Sequence, residues 1–392
     1  MVSACVIGAG PAGLMAAEVL SRHGVAVSVY DAMPSVARKF LMAGKSGLNL
    51  TKNEETEAFI AQITPSDPRL RRAVAAFGPA EVIAWAEGLG QPMFTGSTGR
   101  VFPTVMKASP LLRAWLSRLV GQGVKIFPRH RWRGFAGHAS QFETPMGAAE
   151  MTADLTILAM GGASWARLGS DGAWAQQFPG IVVPFAPANA GFRVAWSSYM
   201  APHFGTPVKA TALHAGGETS RGEWVITHAG VEGGGIYPLT PQLRAGAQLT
   251  VDLLPHLAQA EIDAALAKPR GKTTQTNHLR KVLRLDPVKL ALVMEFGRSD
   301  IAASLKALHI PLNGPMPMDS AISTAGGLSW SALDDSFMLV SRPGTFAAGE
   351  MLDWEAPTGG YLLTGCLATG RAAAHGALQF ANLLPPTIAG SH

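Results

Sequence analysis

Gly8, Gly10 and Gly13 stand at the spacing of a turn that brings bare backbone against a phosphate, and an acid, Asp31, follows about twenty residues later. Gly8 permits the tight turn, Gly10 lets a pyrophosphate approach the main chain, and Gly13 lets a helix pack closely on a strand. Unpaired N–H groups at the helix start then face the phosphate charge. Asp31 is placed to accept hydrogen bonds from an adenosine ribose. The chemistry is dinucleotide binding, and this segment alone suits NAD and FAD equally.

Those residues need a strand, a turn, a helix and a second strand to hold them. Val2–Ile7 reads as a short buried strand, Leu14–Ser21 as an Ala/Leu-rich helix, and Val25–Tyr30, with Val on alternate positions, as the second strand. Further along, Asp154–Met160 is a near-continuous apolar strand running into Gly161-Gly162, as a parallel strand buried on both faces would. Gly344–Glu350 is a short strand ending in Gly-Glu, and Gly359-Gly360-Tyr361 opens a long small-residue helix over Leu362–Ala381. Between these pieces, residues 56–120 read as mainly helical, with Leu111, Leu112, Trp115, Leu116 and Leu119 at helical spacing. Val124–Phe127 is expected to begin a small antiparallel sheet that continues through Phe142.

The chain has 392 residues, 47% hydrophobic and 15% charged, which fits a folded protein of two or three domains and excludes a disordered one. The net charge of +5 is spread thinly; Arg129–Arg133 is the densest basic cluster, a poor basis for nucleic-acid binding. Cys5 and Cys366 form no C-x-x-C pair, so a reduced cytoplasmic protein is expected. No stretch reads as a secretory leader or a membrane span. No metal-ligand spacing and no nucleophile elbow is present, so metal hydrolysis and serine catalysis are unsupported. The expected layout is an α/β Rossmann-like dinucleotide-binding domain over 1–185 and 321–392. It is interrupted by a β-rich, barrel-like domain over 186–257 and 311–320, which carries a helical insertion over 258–310.

These marks resemble the two-dinucleotide-binding-domain flavoproteins, and more narrowly the YhiN-type, aminoacetone-oxidase-like bacterial FAD-binding family. The resemblance rests on Arg38-Lys39 with the Gly44–Thr51 loop, Ala159–Gly162, Thr324–Gly327, Gly349–Asp353 and Thr358–Tyr361, in order along almost the whole chain. It implies FAD, bound along Gly8, Gly10, Pro11, Ala12 and Gly13, with Asp31 and Ala32 at the adenosine end. It extends the set to Arg38, Lys39, Gly44, Leu48, Asn49, Trp132, Met160, Gly161 and Gly162, and then to Gly326, Gly349, Glu350, Asp353, Gly359, Gly360 and Tyr361. Glu350 would hold ribityl or phosphate-proximal hydroxyls, and the helix opened by Gly359-Gly360-Tyr361 would aim its N–H groups at the flavin. Two departures point to a divergent subfamily with its own substrate. Gly47-Leu48-Asn49 replaces a common Gly-Arg-Cys-Asn, and Gly230–Gly235 replaces a common Ser-Gly-Pro.

The resemblance therefore implies an FAD-dependent oxidoreductase that moves hydride between flavin and a small organic substrate, by amine oxidation or by reduction of an unsaturated compound. NAD(P)H is a candidate transient donor, although no second complete Rossmann unit is visible. His228, Glu232 and Tyr361 are weak acid–base candidates. Trp165, Trp196, Trp224 and Trp330 suit a pocket or the core equally. The alternative is an RNA-binding or RNA-modifying flavoprotein, supported by Lys268, Arg270, Lys272, Arg280, Lys281 and Arg284. An NAD-only dehydrogenase is a third reading. A small-molecule partner is expected, with no membrane and with nucleic acid disfavoured.

Overall fold

Segments rich in Val, Ile and Ala that must be buried on both faces form a five-stranded parallel sheet. In chain order the elements that matter are β1 (Ser3–Ile7), α1 (Pro11–Arg22), β2 (Ala26–Asp31), α2 (Ala108–Gly121), β3 (Lys125–Pro128), β4 (Leu155–Leu158), β5 (Thr345–Ala347) and α3 (Tyr361–Phe380). The strand order is β5-β4-β1-β2-β3, with Ala4 beside Val27 on one side and Leu155 on the other. The computed structural model describes residues 1–44 and 47–385; Lys45 and Ser46 of the Gly44–Thr51 loop lie outside them. The chain divides into two units, Met1–Ala186 with the chain from Ser323 onward, and Pro187–Ile322.

The sheet corrects one expectation. Lys125–Pro128 pairs in parallel with β2, Ile126 opposite Val29, and so extends the parallel sheet. The antiparallel sheet starts only after it, from Arg131–Ala136, Ala139–Thr144 and Gly147–Met151, with a bulge between Trp132 and Gly134. The stretch read as helical also contains a small sheet, Arg100–Pro103 pairing with Met93–Thr95 and Thr51–Lys52. These strands are too short to show a period of two against their helical neighbours.

α1 opens with Gly10 as N-cap and Pro11 in its first turn, where the missing N–H of proline is harmless. It packs against α3, and a Cβ at Gly370 would lie 2.2 Å from the Ala12 carbonyl oxygen, so the approach requires glycine. An acid is buried among these apolar faces. Glu18, 1% exposed, accepts from Trp85 Nε1 (3.1 Å), Trp115 Nε1 (2.7 Å) and Arg118 (3.0 Å), and pairs with Arg22. One carboxylate thereby fastens α1 to α2 and to the helix Pro79–Glu87.

The second unit contains two four-stranded antiparallel sheets. Its helices Gln259–Leu266, Gln275–Leu283, Pro287–Phe296 and Ile301–Lys306 share the strands' core through Ile262, Leu279, Leu283, Val293 and Leu305. Leu308–Ile310, at the end of that helical stretch, pairs with Leu249–Asp252 as a strand. Buried Lys289 ties the layers, its Nζ donating to the carbonyls of Ala210 (3.1 Å) and Leu253 (2.9 Å). Among the described residues no helix is long and apolar enough to cross a membrane, and no group of three acids, histidines or cysteines is arranged to hold a metal.

Replacing Glu18 by Ala strands two indole N–H groups and two guanidinium groups, so we expect a loss of about 3 kcal/mol in denaturant unfolding, with Gln costing less. A second expectation concerns pH. Burial, then Arg371 and His23, push the His375 ring on α3 down from 6.5 to about 4. The folded protein keeps it neutral while the unfolded chain protonates it below pH 6.5, so its stabilisation is present above 6.5 and lost as pH falls towards 4. Unfolding free energies measured across that window should fall less steeply for His375→Gln.

Candidate functional site

β1, β4 and β5 are parallel neighbours, so their C-terminal ends lie side by side and the turns that follow them open onto one cleft of the first unit. Gly8, Gly10, Pro11 and Ala12 line it from the first turn, Met160 and Gly161 from the second, and Gly349 and Glu350 from the third. Asp31, Ala32, Lys39 and Trp132 complete the sequence-derived residues on its wall.

The three glycines of the first turn do different work. Gly8 has φ +102°, and a Cβ there would sit 2.2 Å from the Ala159 carbonyl oxygen; at Gly13 it would sit 1.9 Å from that of Gly8. Both are fixed by packing. A Cβ at Gly10 would meet nothing within 4 Å, so this residue faces open cleft.

Charge is arranged around that opening. Asp31 accepts from the backbone N–H of Ala9 (2.9 Å) and Met33 (2.8 Å). Burial raises its pKa, while those two N–H groups, Arg131 and Arg38 pull it back. Its carboxylate oxygens retain lone pairs for further donors. Glu350, 6% exposed, accepts from Thr324 N–H (3.0 Å) and from Lys39 Nζ (2.6 Å), and Lys39 also donates to Ser164 (2.8 Å). Two further groups on the wall, Trp132 Nε1 and Ser170 Oγ, are buried without a partner. A bare-backbone turn at a helix N-terminus, a ribose-type acid, a cation and two unmet donors together fit an adenine dinucleotide such as FAD.

The remaining sequence-derived residues lie outside this wall. Gly13 supports the turn from below, and Arg38 precedes Lys39. Gly44 packs on Ala108, Gly162 on Thr324, and Gly326 against the Pro184 carbonyl. Leu48 is fully buried, its N–H bonded to Met106 (2.9 Å), and Asn49 keeps a buried, unpartnered Oδ1. The Asp353 carbonyl accepts from Trp330 Nε1 (2.7 Å). Gly360 lies against Thr51, where a Cβ would come within 2.4 Å. Gly359 immediately precedes it. Tyr361 packs in the core with its ring tilted against Phe59 (centroids 4.5 Å apart), and its hydroxyl donates to Glu54 (2.7 Å) and accepts from Lys52 (2.8 Å). Burial pushes that phenol up to about 12.

His228 and Glu232 belong to the second unit, on the hairpin of Trp224–Thr227 and Gly230–Glu232. Trp224 and Trp330 are buried, and Trp196 Nε1 donates to Thr227 (2.9 Å). Lys268, Arg270, Lys272, Arg280, Lys281 and Arg284 are all exposed on that unit. The sequence reading passed over Ser170, Asp171, Arg131 and Cys366, which also line the cleft. For Ser170 and Asp171 the only local signal is the pair of glycines, Gly169 (φ +101°) and Gly172 (φ +67°), that shapes the loop.

The model of the HI0933-like protein Rossmann domain family matches residues 2–376, and the chain belongs to that family. It is 26% identical to a 3-dehydro-bile acid delta(4,6)-reductase of Clostridium scindens, over 95% of this chain and 98% of that protein. It is 25% identical to a ribosomal RNA dihydrouridine synthase of Haemophilus influenzae, over 91% of this chain and 93% of that one. Among solved structures, a flavocytochrome c3 fumarate reductase superposes with a TM-score of 0.52 at 16% identity, covering 97% of this chain and 78% of the other. Mycobacterium smegmatis Sdh1 superposes with 0.51 at 15%, covering 98% and 70%. The protein is an FAD-dependent oxidoreductase of the Rossmann type.

The different roles of the glycines are testable. Gly10→Val should leave apo-protein unfolding within about 0.5 kcal/mol of wild type yet abolish FAD retention on gel filtration. Gly8→Ala and Gly13→Ala should lower folding stability directly, by clash with backbone.

Proposed function

We propose that this member of the HI0933-like family is a reductase that saturates a carbon–carbon double bond conjugated to a carbonyl, in a small-molecule enone or dienone. The observation that carries the reading is end-to-end similarity to a delta(4,6)-reductase, joined to a cleft whose groups suit FAD. FAD, when bound, supplies the hydride acceptor and donor. The chain's own part is to hold and desolvate it. The first turn of α1 offers N–H groups to the pyrophosphate, Asp31 takes the ribose hydroxyls, and the Lys39–Glu350 pair sets charge beside the sugar–phosphate segment. A nicotinamide dinucleotide is the hydride source in this reading. Hydride ends on one alkene carbon, a proton from solvent or a protein acid on the other, and the nicotinamide leaves oxidised.

One observation favours a second substrate for the same chemistry. The H. influenzae relative is named for making dihydrouridine in ribosomal RNA, and six basic side chains stand exposed between Lys268 and Arg284. In that reading the double bond is that of a uracil in RNA.

Anaerobic stopped-flow absorbance separates these readings. We expect NADH or NADPH to bleach the flavin band and a 3-oxo-4,6-diene steroid to restore it, with one equivalent of product that has lost one of its two carbon–carbon double bonds. Restoration only by uridine-containing RNA selects the second reading. Bleaching by amines, with oxygen as the sole effective oxidant, would overturn both.

A further inference from the structure

Every other buried indole in the described residues, those of Trp85, Trp115, Trp174, Trp224, Trp330 and Trp354, donates its N–H to a protein acceptor. Trp132 does not. It is 8% exposed, wedged between Phe135 (5.1 Å) and Phe178 (6.0 Å), and its Nε1 has no partner. Ser170, 5% exposed, is in the same position with its hydroxyl. Buried donors left unmet are rare, because each forfeits its bonds to water without replacement. Two on the wall of one cleft require a common cause.

Their placement links them. Arg131, immediately before Trp132, pairs with Asp171, immediately after Ser170, at 2.7 Å. This ion pair fastens the Ser170 loop to the strand of Trp132. The loop is held from another side by Gly169, where a Cβ would come within 2.7 Å of Met33. Around the hydroxyl the cleft is already polar. A Cβ built on Gly161 would lie 3.3 Å from Ser170 Oγ and 3.9 Å from Glu350 Oε2, so hydroxyl and carboxylate flank the same glycine. On the other side, His130 donates its backbone N–H to the Asp31 carbonyl (2.8 Å), which sets the Trp132 strand beside the ribose-type acid.

We infer that Trp132 Nε1 and Ser170 Oγ are direct hydrogen-bond partners of bound FAD, the indole at its adenosine end and the hydroxyl along its pyrophosphate–sugar segment. The inference rests on the FAD reading of this cleft. An indole N–H only donates, so its partner is a ring nitrogen, a sugar oxygen or a phosphate oxygen. Because neither group is bonded within the free protein, removing either should weaken cofactor binding. Ser170→Ala should do so without weakening the apo-fold, whereas Trp132→Phe also gives up packing against Phe135 and Phe178. A structural side chain would behave in the opposite way.

The experiment titrates FAD into apo-protein, following quenching of flavin fluorescence, for wild type, Trp132→Phe and Ser170→Ala. It is paired with denaturant unfolding of each apo-protein. We expect Kd to rise about tenfold in each variant, with the apo unfolding midpoint of Ser170→Ala unchanged or higher. The nitrogen-15 indole resonance of Trp132 should also shift when FAD is added to wild type. Equal FAD affinity in all three proteins, an unshifted Trp132 indole resonance, or an apo-protein destabilised by Ser170→Ala would overturn the inference. Wild type that takes up no FAD at all would instead overturn the cofactor reading beneath it.

Discussion

A Cβ on residue 13 would lie 1.9 Å from the Gly8 carbonyl oxygen, and one on residue 8 would lie 2.2 Å from that of Ala159. This double close approach is the constraint on which the first unit depends. It lets α1 start directly above the ends of β1 and β4, so its free N–H groups open into the cleft and are not covered by side chains. The same economy of side chains recurs on α3, where Gly370 admits the Ala12 carbonyl and Gly365 admits the Trp354 ring. Close-packed glycines thus set the cleft's floor, and the polar residues only furnish it.

The charged groups divide accordingly. Glu18 and Lys289 are buried and fully engaged within the protein, so they hold layers together. Around the cleft the engagement is partial. Asp31 and Glu350 are oriented by backbone N–H groups, Lys39 is held between Glu350 and Ser164, and Trp132 and Ser170 are left open. Pre-orientation with unspent hydrogen-bonding capacity is what a rigid site for a polar dinucleotide requires.

Much of this was legible in the sequence because it is local. The strand–turn–helix–strand of residues 2–31 is specified by glycines and apolar residues at short range, and the long C-terminal helix by its composition. The partner of Lys125–Pro128 was not legible, since four residues carry no information on whether they join a parallel or an antiparallel neighbour. Nor was Glu18. It sits in an apolar helix, and its Trp85, Trp115 and Arg118 partners come from segments far along the chain. The helical spacing of Trp115 places its ring in the core but says nothing of the partner of its N–H. Ser170 and Asp171 carry no periodicity at all and become conspicuous only once the loop folds against Arg131.

The central claim is that FAD occupies the cleft formed by the ends of β1, β4 and β5. Hydrogen–deuterium exchange of the apo-protein with and without FAD tests it most directly. The account predicts slower amide exchange at residues 8–13, 168–172 and 349–350, with residues 187–322 little changed. FAD binding that leaves those three segments unprotected, or that protects residues 187–322 instead, would contradict it.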